Sequence, residues 1–316
     1  MLIGSDKKFI ETPFASEAEL EKVVEEHHED IFGSLSIYLP KQLVKTTGGE
    51  GSVPDGFVID PESRRWYIVE VELSIHSVWS HVAPQVAKQI IGATQPTTKR
   101  LLIDAAINKI RDDNEYTDML SEMDIVALDV RRLFQTILDT EPIVGMPIDK
   151  ISADHREWAA TLRNDVKLWI ISKYAEWGNQ SNVIYQIPEE FSPTVDTAEE
   201  HAQIKEGRNV NYYGVSISDL LHAGLLQVGE ELTFDYGPSG QNKSTYIATV
   251  GSDGTIQTDG TVFSSLSYAA LHHITKVKPS RTTENGWFVW KTKTGVRLEN
   301  IRAKYLKSIT MSNTKS

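Results

Sequence analysis

The stretch Val53-Pro54-Asp55-Gly56-Phe57-Val58-Ile59-Asp60-Pro61-Glu62-Ser63-Arg64-Arg65-Trp66-Tyr67-Ile68-Val69-Glu70-Val71-Glu72-Leu73 decides the reading of the fold. Two runs rich in β-branched and aromatic residues, 56–60 and 64–73, flank Asp60-Pro61-Glu62-Ser63. Proline at the second position of such a quartet favours a tight turn. The stretch therefore reads as a β-hairpin. A two-residue turn at Pro61 and Glu62 would set Asp55 opposite Ile68, with Glu70 as its diagonal neighbour. Side chains alternate faces along a strand, so Asp55, Ile68, Glu70 and Glu72 share one face. Diagonal neighbours stand roughly 7–8 Å apart, within joint reach of one bound ion.

Three carboxylates on one sheet face repel one another unless a ligand compensates them. A hard dication such as Mg²⁺ prefers oxygen ligands, takes one or two carboxylates and keeps several waters. Such an ion can activate water and neutralise charge on a phosphate under attack. The cluster suits phosphodiester hydrolysis, with Mg²⁺ as cofactor and Mn²⁺ as its substitute.

Outward from the hairpin, Ser16 and Glu19 form a capping box before Leu20, Val23, Val24 and Ile31, which recur at helical spacing up to Gly33. A strand is expected over 35–45. Helices are expected over 78–94, 99–112 and near 156–163, with a buried strand over 143–148 and closing strands over 167–174 and 183–187. Pro54-Asp55 and Glu70-Val71-Glu72, in this order of helix, three strands, helix and strand, resemble the PD-(D/E)XK nuclease superfamily over about residues 16–190. Glu72 stands where that motif usually carries lysine. The resemblance implies a restriction-endonuclease-like α/β (α+β) core, a mixed sheet flanked by helices. It further implies metal ligation by Asp55, Glu70 and the Val71 carbonyl, with Glu72 binding metal or positioning water. Glu21 on the first helix and Gln85 on the helix after the hairpin are the further active-site candidates. Lys88 is a candidate replacement for the missing lysine. His76 and His81 lie near by, but capping or packing accounts for either. His27-His28 and His272-His273 lack ligand spacing and receive no role.

The remainder of the chain reads differently. Residues 191–209 are polar, with Pro193 and Gly207, and no apolar period; they read as a linker between domains at 1–190 and 210–316. After it come a helix near 218–226, short strands with Asp253-Gly254 and Asp259-Gly260 turns, Ser265-Leu266-Ser267-Tyr268, Asn285-Gly286-Trp287-Phe288-Val289-Trp290, and Leu298 to Tyr305. In that order these landmarks resemble the RAMA domain, named for its association with restriction enzymes and adenine methylases. The resemblance spans about residues 212–306. It implies a small α+β domain that reads DNA, with modified DNA among its candidate targets. Ser265 and Ser267 share a face and are candidates for phosphate or base contact; capping of a helix is the equal alternative. Trp287 and Trp290, three apart on an expected strand, face opposite sides, so at most one is a stacking platform. Lys291 and Arg302 belong to a set of basic residues that supply a positive field.

The charge distribution agrees with this division. The chain of 316 residues has a formal net charge of -12. Residues 1–190 carry 19 basic and 32 acidic side chains, whereas residues 205–316 carry 13 and 9. The C-terminal part is the better candidate for phosphate contact. With 0 cysteines, disulfides and thiolate sites are excluded. No apolar run approaches the roughly 18 residues of a membrane span. A cytoplasmic protein without a membrane partner is expected. The assembled expectation is a restriction or anti-phage endonuclease acting on double-stranded DNA. Cutting both strands calls for two active sites, hence a homodimer. The rivals are a non-catalytic adaptor for modified DNA, a nuclease of RNA or single strands, and a subunit of a larger defence complex.

Overall fold

The computed structural model describes residues 1–4, 6–33, 36–41, 44–45, 48, 51–112, 116, 120, 125, 129–187, 215–237 and 243–313. The chain folds as two compact units, Met1–Pro188 and Glu189–Ser316. The linker expected at 191–209 lies outside the described residues. Both units mix helices with sheets. No helix among the described residues is long and apolar enough to cross a membrane.

In the first unit, strands β1 (Leu2–Ile3) and β2 (Lys8–Glu11) precede helices α1 (Glu17–Glu26) and α2 (His28–Phe32). Ser16 caps α1 by accepting from the Glu19 N–H, and the Glu19 carboxylate accepts from the Ala15 N–H. Gly33, at φ 121, takes the chain out of α2 in a conformation that favours glycine. Then follow β3 (Ile37–Pro40), β4 (Val44–Lys45), β5 (Gly51–Ser52), β6 (Gly56–Asp60) and β7 (Arg65–Val69). The single strand expected over 35–45 is thus two strands in different sheets.

A π-helical turn at Val78–Val82 leads into α3 (Ala83–Ala93), and α4 (Pro96–Asp112) and α5 (Val130–Leu138) come next. The unit ends with β8 (Ile143–Ile148), α6 (Ala153–Thr161), β9 (Val166–Ile170), β10 (Ser172–Glu176) and β11 (Asn179–Gln186). One sheet has the order β3-β6-β7-β8-β9. Its first three strands are antiparallel, and β8 and β9 join in parallel. A second sheet, β1-β2-β10-β11, collects the terminal strands of the unit. The closing strand expected over 167–174 is therefore split at Ile171 between two sheets.

Alternation along β6 and β7 sorts the core into layers. Phe57, Ile59, Trp66 and Ile68 pack with Leu102, Ile103 and Ala106 of α4 and with Phe134 and Ile137 of α5. Val58, Tyr67 and Val69 pack on the other face with Leu20, Val23 and Val24 of α1 and with Phe32 of α2. A third cluster joins Val78, Val82 and Val86 to Val144, Met146 and Ile148 of β8 and to Trp158 of α6. Strands β6, β7 and β8 are buried on both faces, which explains the nearly unbroken apolar runs of the hairpin and of 143–148.

The hairpin turn is longer than expected. Asp60 pairs with Arg65 and Gly56 with Val69, so the loop holds four residues, 61–64. The Asp60 carboxylate causes this: Oδ1 accepts from the N–H groups of Glu62 and Ser63, and the chain folds around it. Arg64, at φ 53, completes the turn. Lengthening the loop by two residues preserves parity but moves the register, so Asp55 continues opposite Glu70 and not Ile68.

In the second unit, α7 (Ile217–His222) is capped by a Ser216–Asp219 box. Strands β12 (Glu231–Tyr236), β13 (Ser244–Val250), β14 (Ile256–Thr258) and β15 (Thr261–Phe263) precede α8 (Leu266–Val277), α9 (Gly286–Val289), β16 (Lys291–Thr292) and α10 (Leu298–Asn313). The sheet, in the order β15-β14-β13-β12-β16, is antiparallel throughout. Its core joins Leu220, Leu232, Phe234, Ala248, Ile256, Ala270 and Ile274 to Trp287 and Trp290. The strand expected around Trp287 is instead a helical turn. The Asn285 side chain caps it by accepting from the Trp287 N–H. Gly286 lies against the Leu266 backbone, where a Cβ would come within 2.2 Å of the Leu266 carbonyl carbon.

Candidate active site

The hairpin brings Asp55, Glu70 and Glu72 together, and each is held by a different neighbour. Just before β6, Asp55 Oδ2 accepts from the Val71 N–H at 2.9 Å. Gly56 permits this placement. A Cβ there would fall 2.5 Å from the Tyr38 ring, whose hydroxyl donates to the Asp55 carbonyl. Beyond Val69 the chain continues along β8: the N–H groups of Glu70 and Glu72 donate to the carbonyls of Gly145 and Pro147. Glu70 is 3% exposed and Glu72 2%.

Two glutamines from α3 hold Glu70. Gln89 Nε2 donates to Oε2 at 2.7 Å, and Gln85 Nε2 donates to Oε1. They lie one turn apart and so face the sheet together. Gln89 is fully buried, and its Oε1 has no hydrogen-bond partner among the described residues. Helix α1 approaches from the other side. Glu21 Oε2 is 2.7 Å from Lys41 Nζ, which is also 3.3 Å from Asp55 Oδ1. Glu17 reaches His76 instead, with Oε1 2.6 Å from Nδ1. His76 Nδ1 lies 2.5 Å from Glu72 Oε1. The ligand atoms of Glu72, His76 and His81 all fall within 4.8 Å of one another.

Burial and mutual repulsion shift these acids. Burial raises Glu70, and the Asp55 charge adds to it, to about 8. Burial also raises Glu72, to about 7, together with its hydrogen bond to Glu17. Asp55 is raised by burial, opposed by the Val71 N–H. His76 is raised by its bond to Glu72. Burial and like charge thus favour the protonated forms of these acids.

Of the residues anticipated from sequence, Asp55, Glu70, Glu72, Gln85 and Glu21 gather at one place, with Val71 between them. Its N–H holds Asp55. Lys88 is exposed on α3, and the lysine beside Asp55 is Lys41. Sequence spacing carried no sign of Lys41, which lies 14 residues before Asp55 across a sheet edge. Gln89 lies one helical turn beyond Gln85, a spacing from which it could have been found. His76 and His81 carried a weak sign in their nearness to Glu72.

The expected DNA-contact residues of the second unit need correction. Trp287 and Trp290 are 2% and 0% exposed, so neither is a stacking platform. Trp290 Nε1 donates to the Leu266 carbonyl, and its ring meets Phe234 edge-on at 4.5 Å. Arg302 is buried with its guanidinium 4.6 Å from the Trp287 ring centre. Ser265 caps α8, and Ser267 Oγ accepts from the Gly286 N–H. Ser265 thus follows the capping alternative, and the side chains of Trp287, Trp290 and Arg302 lie in the core. Lys291 is half-buried on β16 and keeps part of its surface.

No curated protein sequence matches the chain. The family model described as RAMA, Restriction Enzyme Adenine Methylase Associated, matches residues 197–311, so the second unit is similar to that family.

Proposed function

We propose that this protein is a metal-dependent DNA endonuclease of restriction type, in which the first unit cuts and the second reads DNA. The carrying observation is the convergence of half-buried Asp55 with buried Glu70 and Glu72 beside one strand end, all raised in pKa, with two glutamines holding Glu70. The mixed sheet between two helical layers is consistent with a restriction-endonuclease-like core. The RAMA match adds an association with restriction and adenine methylation by the family's name.

The site fits a hard dication. Its facing donors are carboxylate oxygens that repel one another, and the Gln89 Oε1 beside them has no hydrogen-bond partner among the described residues. Asp55 and Glu70 would hold Mg²⁺ or Mn²⁺, with the Val71 carbonyl as a further ligand. When bound, the ion supplies Lewis acidity toward phosphate and lowers the pKa of water. The protein's own groups do the positioning. The Val71 N–H fixes the Asp55 carboxylate, and Gln85 and Gln89 fix that of Glu70. Glu72, with its raised pKa, is suited to accept a proton from attacking water near neutral pH. Lys41 places beside Asp55 the positive charge that position 72 lacks.

DNA is held by the more basic second unit, through exposed lysines such as Lys276, Lys293 and Lys304 and through the accessible part of Lys291. Double-stranded cutting requires a homodimer or pairing on DNA. The test incubates the protein with Mg²⁺ or Mn²⁺ and plasmid or phage DNA, unmodified and base-modified, beside Asp55→Ala. Cutting that needs metal and vanishes in the variant is expected. A preference among the DNAs would assign modification reading to the second unit. Binding without cutting in both proteins would favour the second reading, a non-catalytic adaptor, to which Glu72 in place of lysine gives its support.

A further inference from the structure

Glu72 faces two sets of neighbours. One is the oxygen set of Asp55 and Glu70. The other contains nitrogen: His76 Nδ1 lies 2.5 Å from Glu72 Oε1, and His81 completes a trio whose ligand atoms are all within 4.8 Å. Ligands around a tetrahedral ion with bonds of roughly 2.0–2.1 Å stand about 3.3 Å apart. The trio brackets that spacing and needs only small side-chain adjustments to meet it.

The backbone builds this grouping. After Glu72, the Ser74 N–H donates to Asp149 Oδ1 at 2.7 Å and its hydroxyl reaches Oδ2 at 3.2 Å. That pins the turn to the end of β8, and the His76 N–H closes it on the Leu73 carbonyl. The chain then enters the π-helical turn Val78–Val82, in which the N–H groups of both His81 and Val82 reach the Ser77 carbonyl. A π turn widens the helix and re-aims its side chains, and such turns are frequent at functional sites. Here it sets the His81 ring 5.2 Å from that of His76.

A second observation points to a missing cation. Glu72 and Glu17 both crowd the single His76 Nδ1, at 2.5 and 2.6 Å. Glu72 Oε1 takes the hydrogen bond to that nitrogen, and the buried Glu17 Oε1 is left with no hydrogen-bond partner among the described residues. A dication in that place would satisfy both, with His76 as a neutral ligand.

We infer that Glu72, His76 and His81 form a second metal site, with Glu17 at its edge, that takes a transition-metal dication such as Zn²⁺ or Co²⁺. Imidazole donors select such ions over Mg²⁺. The site shares Glu72 with the oxygen set but does not rest on the nuclease reading.

The test uses tag-free, chelator-stripped full-length protein titrated with Co²⁺, followed by visible ligand-field absorption, and with Zn²⁺, followed by calorimetry. Tetrahedral-type Co²⁺ absorption from the histidine site should appear with the same affinity in the wild type and in Asp55→Ala, which removes a ligand of the oxygen set alone. His81→Ala and His76→Ala should each weaken Co²⁺ binding at least tenfold. His81 is exposed, so its variant should fold, and circular dichroism checks that. Unchanged Co²⁺ affinity in both histidine variants would overturn the inference, as would failure of the wild type to bind either ion below millimolar concentration. Failure of DNA cleavage alone would leave this site standing.

Discussion

The Val71 N–H donates to Asp55 Oδ2 at 2.9 Å, which ties the two halves of the acidic motif together across the hairpin. The bond uses a lone pair and not the negative charge as such. Asp55→Asn can keep the acceptor and lose the charge, so it should fold nearly as stably as the wild type while losing thermal stabilisation by Mg²⁺. Asp55→Ala should lose that response and also on the order of 1 kcal/mol of stability. Thermal unfolding with and without Mg²⁺ separates the two. Full Mg²⁺ stabilisation of Asp55→Asn would contradict a ligand role.

Glu70 makes the metal-free protein less stable as pH rises. Its folded pKa is raised from 4.5 to about 8, chiefly by burial. Between those values the folded state keeps a proton that the unfolded state has released. Stability from this group is therefore present below about pH 4.5, falls through neutrality and is lost above about pH 8. Glu70→Gln should flatten this slope and raise metal-free stability at pH 8 by a few kcal/mol, to order of magnitude. Urea unfolding across that range would show an unchanged slope if the attribution were wrong.

Gln89→Leu keeps the volume but removes the 2.7 Å donor to a buried carboxylate. Leaving Glu70 Oε2 unpaired should cost roughly 1–3 kcal/mol at pH 8 and less at pH 5, where Glu70 holds its proton. Equal costs at both pH values would refute the pairing.

Gly56→Ala should destabilise the fold by roughly 1–3 kcal/mol, because the new methyl would meet the Tyr38 ring at 2.5 Å. Tyr38→Leu should relieve part of that cost in the double variant. Additive effects in a double-mutant cycle would count against the contact.

Arg302 belongs to the core of the second unit, so Arg302→Ala should lower thermal stability by roughly 1–2 kcal/mol through loss of its contact with Trp287. Lys293→Ala, on an exposed residue, should leave stability unchanged and reduce the salt dependence of DNA binding. The opposite pattern would return Arg302 to the DNA-contact set.

Local rules made much of the fold legible from sequence. The Ser16 cap, the apolar run at 143–148 and the β-rich hairpin with its Asp60-Pro61 turn all rest on interactions within a few residues, and they specify α1, β8, β6 and β7 directly. Parity on the hairpin survived an error in the turn, since a loop of two or four residues keeps Asp55, Glu70 and Glu72 on one face. The common facing of Gln85 and Gln89 likewise rests on a separation of one helical turn. Interactions between distant segments decided the rest. Lys41 meets Asp55 only because β3 pairs with β6, and His81 meets His76 only because a π turn interrupts the helix. Trp287, Trp290 and Arg302 have the composition of a nucleic-acid surface. Asn285 starts a helical turn there, and packing against Leu266 and Phe234 draws both indoles into the core. Sequence by itself determined which carboxylates stand together in the acidic cluster. Tertiary structure alone decided which aromatic and basic groups reach water, because burial is set by contacts between segments far apart in the chain.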